Sequence, residues 1–284
     1  MTDCTIFSGD CLDVMPRLPQ SHAIVTDPPF GPREFEPDQL ERMNQGTGGV
    51  WRRPPAYDGA RRRPVPRFTA ASPKELAQMR DFYVTFGEQA LRNLFPGGHL
   101  FIASTTLLSP LVYGALMESG LEYRGQIVRM VRSLRGGDRP KGAESRFPDV
   151  STMLAGSFEP WGVLRRPLPK GMTVADCLAT HATGGLRRGQ DGSPLSDVIP
   201  SGRTPARERR IAPHPSLKPQ AFMRRICWSA LPLGTGVVLD PFAGAGATLA
   251  ACIAIGYDSA GIERHEPYHQ MALSAVPLLA ELEA

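Results

Sequence analysis

The sequence predicts an α/β protein built on one doubly wound, mostly parallel sheet. Three observations lead there. Residues 4–8 and 22–26 are apolar, strand-like runs joined by a short segment carrying Leu12, Met15 and Leu18 at helical spacing, the outline of a β-α-β unit. From 72 to 132 helical and strand periods alternate. From 237 to 263 the chain runs strand, glycine-rich turn, helix, strand and acid, the order of a nucleoside-binding half of such a sheet.

The first strand leads through Gly9-Asp10 into the helical segment, and the second closes at Asp27-Pro28-Pro29-Phe30. Residues 31–71 break the pattern with six prolines, five glycines and the clusters Arg52-Arg53 and Arg61-Arg62-Arg63. This reads as a loop that is mobile without ligand and could close over a nucleic-acid backbone; the alternative is a solvated linker. Order resumes at Ser72-Pro73-Lys74-Glu75, a capped helix start, after which Leu76, Met79, Phe82, Phe86, Ala90 and Leu94 recur until Pro96-Gly97-Gly98. A strand over 99–103, a helix over 107–117 and a strand over 124–132 follow. Between 133 and 210 periodicity weakens while Gly, Pro and Arg accumulate. One strand is expected over 150–154, and the segment reads as an insertion apart from the sheet. A helix to about 231, a strand over 237–240, a helix over 249–255, a strand over 257–262 and a last helix over 266–282 complete the chain.

At 284 residues there is room for one large core, or a core with a small appendage. Apolar residues at 42% and charged ones at 21% are the proportions of a soluble globular protein. No apolar run approaches the roughly 20 residues of a membrane span. The polar start Met1-Thr2-Asp3-Cys4 does not read as a signal peptide, so a cytoplasmic protein is expected. Five scattered cysteines without a C-x-x-C pair predict reduced thiols and no structural metal. A net charge of +4 is too small to imply nucleic acid, but residues 124–210 hold 16 Lys/Arg against 8 Asp/Glu. The remainder is net acidic, an asymmetry expected of one anion-facing surface, with Arg187-Arg188 and Arg209-Arg210 as its candidate contacts.

Asp27-Pro28-Pro29-Phe30 stands where a parallel strand ends. Proline fixes φ, lacks an N–H and holds its predecessor extended, so the turn is stiff and rich in free acceptors beside an aromatic ring. Such a turn can grip the amino group of a flat ring; an ordinary Asp-Pro turn with a core Phe is the alternative. The glycine-rich turn, Asp240-Pro241-Phe242-Ala243-Gly244-Ala245-Gly246-Ala247-Thr248, has Leu249 where a dinucleotide fingerprint would carry its third glycine. A nucleoside without a pyrophosphate, such as S-adenosylmethionine, suits it better. Glu263, at the end of the next strand, is placed to take two ribose hydroxyls.

Gly9-Asp10-Cys11, Asp27-Pro28-Pro29-Phe30, His214-Pro215-Ser216-Leu217-Lys218-Pro219 and Asp240-Pro241-Phe242-Ala243-Gly244-Ala245-Gly246 together resemble the DNA amino-methyltransferases, N6-adenine or N4-cytosine. Their order matches the beta arrangement of that family: catalytic half, target-recognition region, cofactor loop. The resemblance spans all but 31–71 and about 133–210. It implies a Rossmann-like class I methyltransferase sheet with an inserted target-recognition region, divided as 1–132, 133–210 and 211–284.

The resemblance also implies roles. Asp27 and Pro28 each accept one N–H of a flipped base's exocyclic amine, with Pro29 stiffening the turn. Phe30 stacks on that base, at a position where the family more often has Tyr. Asp10, beside Cys11, takes the adenine amino group of S-adenosylmethionine, and Glu263 its ribose. Asp240, Phe242, Gly244, Gly246 and Thr248 line the cofactor pocket, with His214 and Lys218 at the methionine end and Lys218 pairing the carboxylate. Double-stranded DNA is the implied partner, with a homodimer and a cognate restriction enzyme as further partners. The aromatic form of the motif leans towards adenine. An RNA amino-methyltransferase and a non-catalytic DNA-binding subunit are the rival readings.

Overall fold

The computed structural model describes residues 2–29, 51–52, 65–66, 72–131, 145–151, 154 and 156–283. Phe30 and nearly all of the expected loop over 31–71 lie outside the described residues, as do Arg53 and Arg61 to Arg63. The chain begins β1 (Cys4–Ser8), α1 (Cys11–Val14, continued by a 3-10 turn, Met15–Arg17) and β2 (Ser21–Thr26). The pair β3 (Trp51–Arg52) and β4 (Val65–Pro66) is antiparallel and separate from the main sheet. Then come α2 (Pro73–Asn93), β5 (Leu94–Ala103), α3 (Ser109–Glu118), β6 (Glu122–Met130), β7 (Phe158–Arg165), α4 (Val174–His181) and β8 (Val198–Pro200). The last part holds α5 (Ala206–Ile211), α6 (Gln220–Ala230), β9 (Val237–Asp240), α7 (Ala247–Ala254), β10 (Asp258–Glu263) and α8 (Glu266–Ala280).

Eight strands form one sheet in the order β1-β10-β9-β2-β5-β7-β6-β8. Strand pairs are parallel except those of β7, which runs antiparallel to both its neighbours. Alternate residues of each central strand serve opposite faces, as the pleat requires. Ile24, Leu100, Ile102 and Leu239 pack on the side of α2 and α3, while Ala23, Val25, Phe101 and Val238 pack on the side of α6 and α7. Both faces are covered, which is why these strands read as continuous apolar runs. The long helix α2 begins where the capping box was expected: the Ser72 hydroxyl accepts from the Glu75 N–H, and Glu75 Oε2 accepts from the Ser72 N–H at 2.8 Å.

Two expectations for 133–210 are corrected. The described residues among 150–154 form no strand; the strand lies at Phe158–Arg165, where Pro160 and Gly162 disguise a buried run. The segment is also not wholly apart from the sheet, since β7 inserts between β5 and β6 and β8 pairs with β6. Arg187 belongs to the fold as well. Its guanidinium lies 3.7 Å from the Trp228 ring centroid and donates to the Tyr257 hydroxyl at 2.6 Å, so it is used internally.

Candidate active site

β9 and β2 are neighbours, yet β10 lies beyond β9 on one side and β5 beyond β2 on the other. A parallel sheet opens a crevice outside the carboxyl ends of its strands where the order reverses in this way. Thr26, the last residue of β2, donates its hydroxyl to Asp240 Oδ1 at 2.7 Å and ties the two strand ends together. Asp240 also accepts from the Phe242 N–H at 3.1 Å. Burial pushes its carboxyl up to about 6, against the hydrogen bonds of Thr248 and Thr26.

A cavity of about 310 Å³ occupies the crevice. Asp10, Cys11, Asp27, Pro28, Pro29, His214, Lys218, Asp240, Phe242, Gly244, Thr248 and Glu263 all line it, so tertiary structure gathers twelve of the sequence-predicted residues. Gly244 has φ +53, a conformation glycine adopts without penalty, and leaves the backbone bare towards the cavity. Glu263 is held from both sides: Oε2 accepts from Gly244 N–H at 2.8 Å and Oε1 from His265 N–H at 2.7 Å. Each oxygen keeps a second acceptor site, as a pair of ribose hydroxyls requires. Asp10 caps α1 through Leu12 N–H at 2.9 Å and lies 3.5 Å from Arg264. Burial pushes the Cys11 thiol up to about 12, so it serves as a neutral apolar wall. The bare Gly244 backbone and the acceptors of Asp10 and Glu263 fit a nucleoside and repel a phosphate.

A protein-family model described as a DNA methylase of the N6/N4 type matches residues 173–274. Over those residues the chain is similar to the DNA methylases of that family. The Type II methyltransferase M.HindIII of Haemophilus influenzae is 23% identical to it over 301 residues, covering 96% of this chain and 95% of the relative. Among solved structures, the complex of M1.HpyAVI with S-adenosylmethionine is similar at 15% identity and TM-score 0.58, covering 98% of this chain and 100% of that one. TTHA0409 of Thermus thermophilus, complexed with S-adenosyl-L-methionine, reaches 17% and 0.59 over 99% and 97%. The cytosine-N4-specific PvuII DNA methyltransferase reaches 11% and 0.61 over 100% and 88%.

Two sequence assignments change in the structure. Gly246 does not line the cavity; at φ +82 it opens α7, and a Cβ there would stand 2.2 Å from Val276 Cγ2 of α8. Its glycine serves helix packing. Lys218, expected to pair a cofactor carboxylate, turns instead to the protein's own acids, with Nζ 2.5 Å from Asp27 Oδ2 and 3.4 Å from Glu159 Oε2. Burial disfavours its ammonium, but the two carboxylates outweigh that and hold its pKa above the ordinary value. His214 is kept neutral: burial and the Lys218 charge lower it to about 4, and its ring sits edge-on to Tyr268 at 4.4 Å.

Sequence reasoning missed Glu159 and Arg129, and the cavity's aromatic wall of Phe82, Tyr83 and Tyr268. Glu159 had a signal: it is an acid inside a strand that is otherwise apolar from Phe158 to Leu164. Asp27 Oδ1 is buried and meets no hydrogen-bond partner among the described residues. Leaving a buried acceptor unpaired costs about 1–3 kcal/mol. The oxygen is therefore ready for an incoming donor.

Proposed function

We propose that this protein is a DNA methylase that transfers a methyl group from S-adenosylmethionine to the exocyclic N6 of adenine in double-stranded DNA, with Asp27 and Pro28 as the amine's acceptors. The observation that carries the reading is the divided carboxylate of cavity-lining Asp27, one oxygen taken by Lys218 and the other buried without a partner among the described residues. An exocyclic amine is a weak nucleophile because its lone pair is delocalised into the ring. Two acceptors on its N–H bonds draw the nitrogen towards tetrahedral geometry and turn the lone pair out of the ring plane. The Asp27 charge also stabilises the positive charge that develops on nitrogen as the N–C bond forms, and one amine proton leaves afterwards. The cofactor supplies an electrophilic methyl on a sulfonium sulfur.

In this reading Asp10 and Glu263 hold adenine and ribose of the cofactor, with Phe242, Cys11 and Thr248 as walls. Pro29 keeps the turn stiff, and Phe30 stacks on the flipped base. Residues 133–210 recognise the target, with Arg209 and Arg210 as backbone contacts. Similarity to a Type II methyltransferase over nearly its whole length supports a role in a modification system.

The test is mass spectrometry of nucleosides from DNA methylated by the purified protein. N6-methyladenine is expected. N4-methylcytosine would overturn the base assignment, and methylation confined to RNA would overturn the substrate. Asp27→Asn should abolish transfer while S-adenosylmethionine still binds; retained turnover would remove Asp27 from the chemistry.

A further inference from the structure

We propose that Glu159, through Lys218, is a positioning residue for Asp27: a four-charge clamp from four separate parts of the chain fixes which Asp27 oxygen meets the substrate amine. The proposal rests on the reading of Asp27 as the amine acceptor. Nothing in that reading needs Glu159 or Arg129, yet Arg129 is buried, Glu159 is partly buried beside it, and both are linked through Lys218 to Asp27 at the crevice.

The clamp is built outward from Asp27. Lys218 Nζ holds Asp27 Oδ2 at 2.5 Å and reaches Glu159 Oε2 at 3.4 Å. Glu159 cannot swing away: its Oε1 accepts from the Trp161 indole at 2.7 Å, and Arg129 Nη1 lies 3.3 and 3.4 Å from its two oxygens. Arg129 is pinned in turn by Ser201 Oγ at 3.1 Å and the Gly202 carbonyl at 3.2 Å, and lies 4.9 Å from the Phe222 ring centroid. Two acids and two bases make the cluster neutral, as a buried group of charges must be to persist. A carboxylate free to rotate about its Cβ–Cγ bond would offer either oxygen. Held through Oδ2, it offers Oδ1 alone, and Oδ1 is the oxygen without a hydrogen-bond partner among the described residues. Rigid placement of an acceptor is worth more at a reacting centre than the acceptor by itself.

The charged groups facing Asp27 are Lys218 from the segment before α6, Glu159 from β7, Arg129 from β6 and Asp240 from β9. Lys218 and Glu159 act on it with opposite sign. Removing the ammonium disfavours the Asp27 anion, whereas removing the second carboxylate favours it.

The experiment measures kcat, KM for S-adenosylmethionine and the acid limb of the kcat–pH profile on a DNA substrate, for the full chain carrying Lys218→Met or Glu159→Gln. Each variant should lose about 10- to 100-fold in kcat with KM within about threefold. The acid limb should move up in pH for Lys218→Met and down for Glu159→Gln. Limbs that stay put, or move together, would overturn the proposal, because a merely structural loss has no such sign. A rise in KM for the cofactor with unchanged kcat in Lys218→Met would return Lys218 to the cofactor and also overturn it. If either variant fails to bind the cofactor by calorimetry, the charge-preserving Glu159→Asp and Lys218→Arg replace them. These should lower kcat with no displacement of the limb, and wild-type kcat in both would end the proposal. Asp27→Asn in the same assay separates the two failures: turnover there removes the acceptor itself, and the clamp with it, whereas a dead Asp27→Asn beside unaffected clamp variants removes only the clamp.

Discussion

On the β9–β10 side of the crevice, Glu263 is held by two backbone N–H groups, those of Gly244 and His265. On the β2 side, Asp27 is held by a side chain from the segment before α6, itself steadied by side chains of β6 and β7. The first arrangement follows from the local path of the chain and tolerates changes elsewhere. The second exists only if distant segments arrive together with their charges balanced. Backbone donors come with the fold and suit the proposed cofactor half, where a ligand is held the same way each turnover. Side-chain clamps can be tuned, and suit the half of the site where, in the proposed function, an amine is held at one angle.

The comparison can be broken from its reactive end first. Asp27→Asn should reduce kcat by about 1,000-fold or more, roughly 4 kcal/mol of transition-state stabilisation, with cofactor affinity within about threefold by calorimetry. Joint loss of both would show that the two sides are not independent.

Asp240, at the seam between them, should report in stability. Its carboxyl titrates at about 6 in the fold against about 3.9 unfolded, so the folded state binds the proton more tightly. Its stabilising contribution is therefore present below pH 4 and lost as pH rises through 6, amounting to about 3 kcal/mol. Urea titrations of Asp240→Asn and wild type across pH 4–6 should diverge by that amount, and parallel curves would place the proton elsewhere.

Gly246→Ala tests the backbone side. A Cβ 2.2 Å from Val276 and a left-handed φ should cost about 2–3 kcal/mol of unfolding free energy, part of it restored by Val276→Ala. Glu263→Ala should weaken S-adenosylmethionine binding by about 2 kcal/mol in a calorimetric titration. The smallest effects concern the basic segment. Arg187→Glu should lower stability by about 1 kcal/mol through the loss of its stack on Trp228, with the salt slope of DNA binding unchanged. Arg209→Glu with Arg210→Glu should flatten that slope and leave stability alone.

Much of the cofactor side was legible because its signals are local. Strand, glycine turn, helix and acid lie between Val237 and Glu263, and each residue acts through the backbone near it. Even there, Gly246 was assigned to the pocket, because a positive φ and a close approach look the same in sequence whether the neighbour is a ligand or Val276. The β2 side was half legible. Asp27 and Lys218 could be singled out, but not as partners, since 191 positions separate them.

By itself the sequence determined the α/β class, the order of the motifs, the identity of the acids at the strand ends and the cofactor they suit, because period, glycine and capping signals act over a few residues. Only the tertiary structure decided the direction of β7. That single antiparallel strand brings its first residues, Phe158 and Glu159, to the edge where the parallel strands end, with Glu159 in register with Arg129. A strand's pattern reads the same in either direction, so nothing in the local sequence could place Glu159 beside Lys218. Packing did, by closing four charges into a neutral cluster that includes the Asp27 carboxylate.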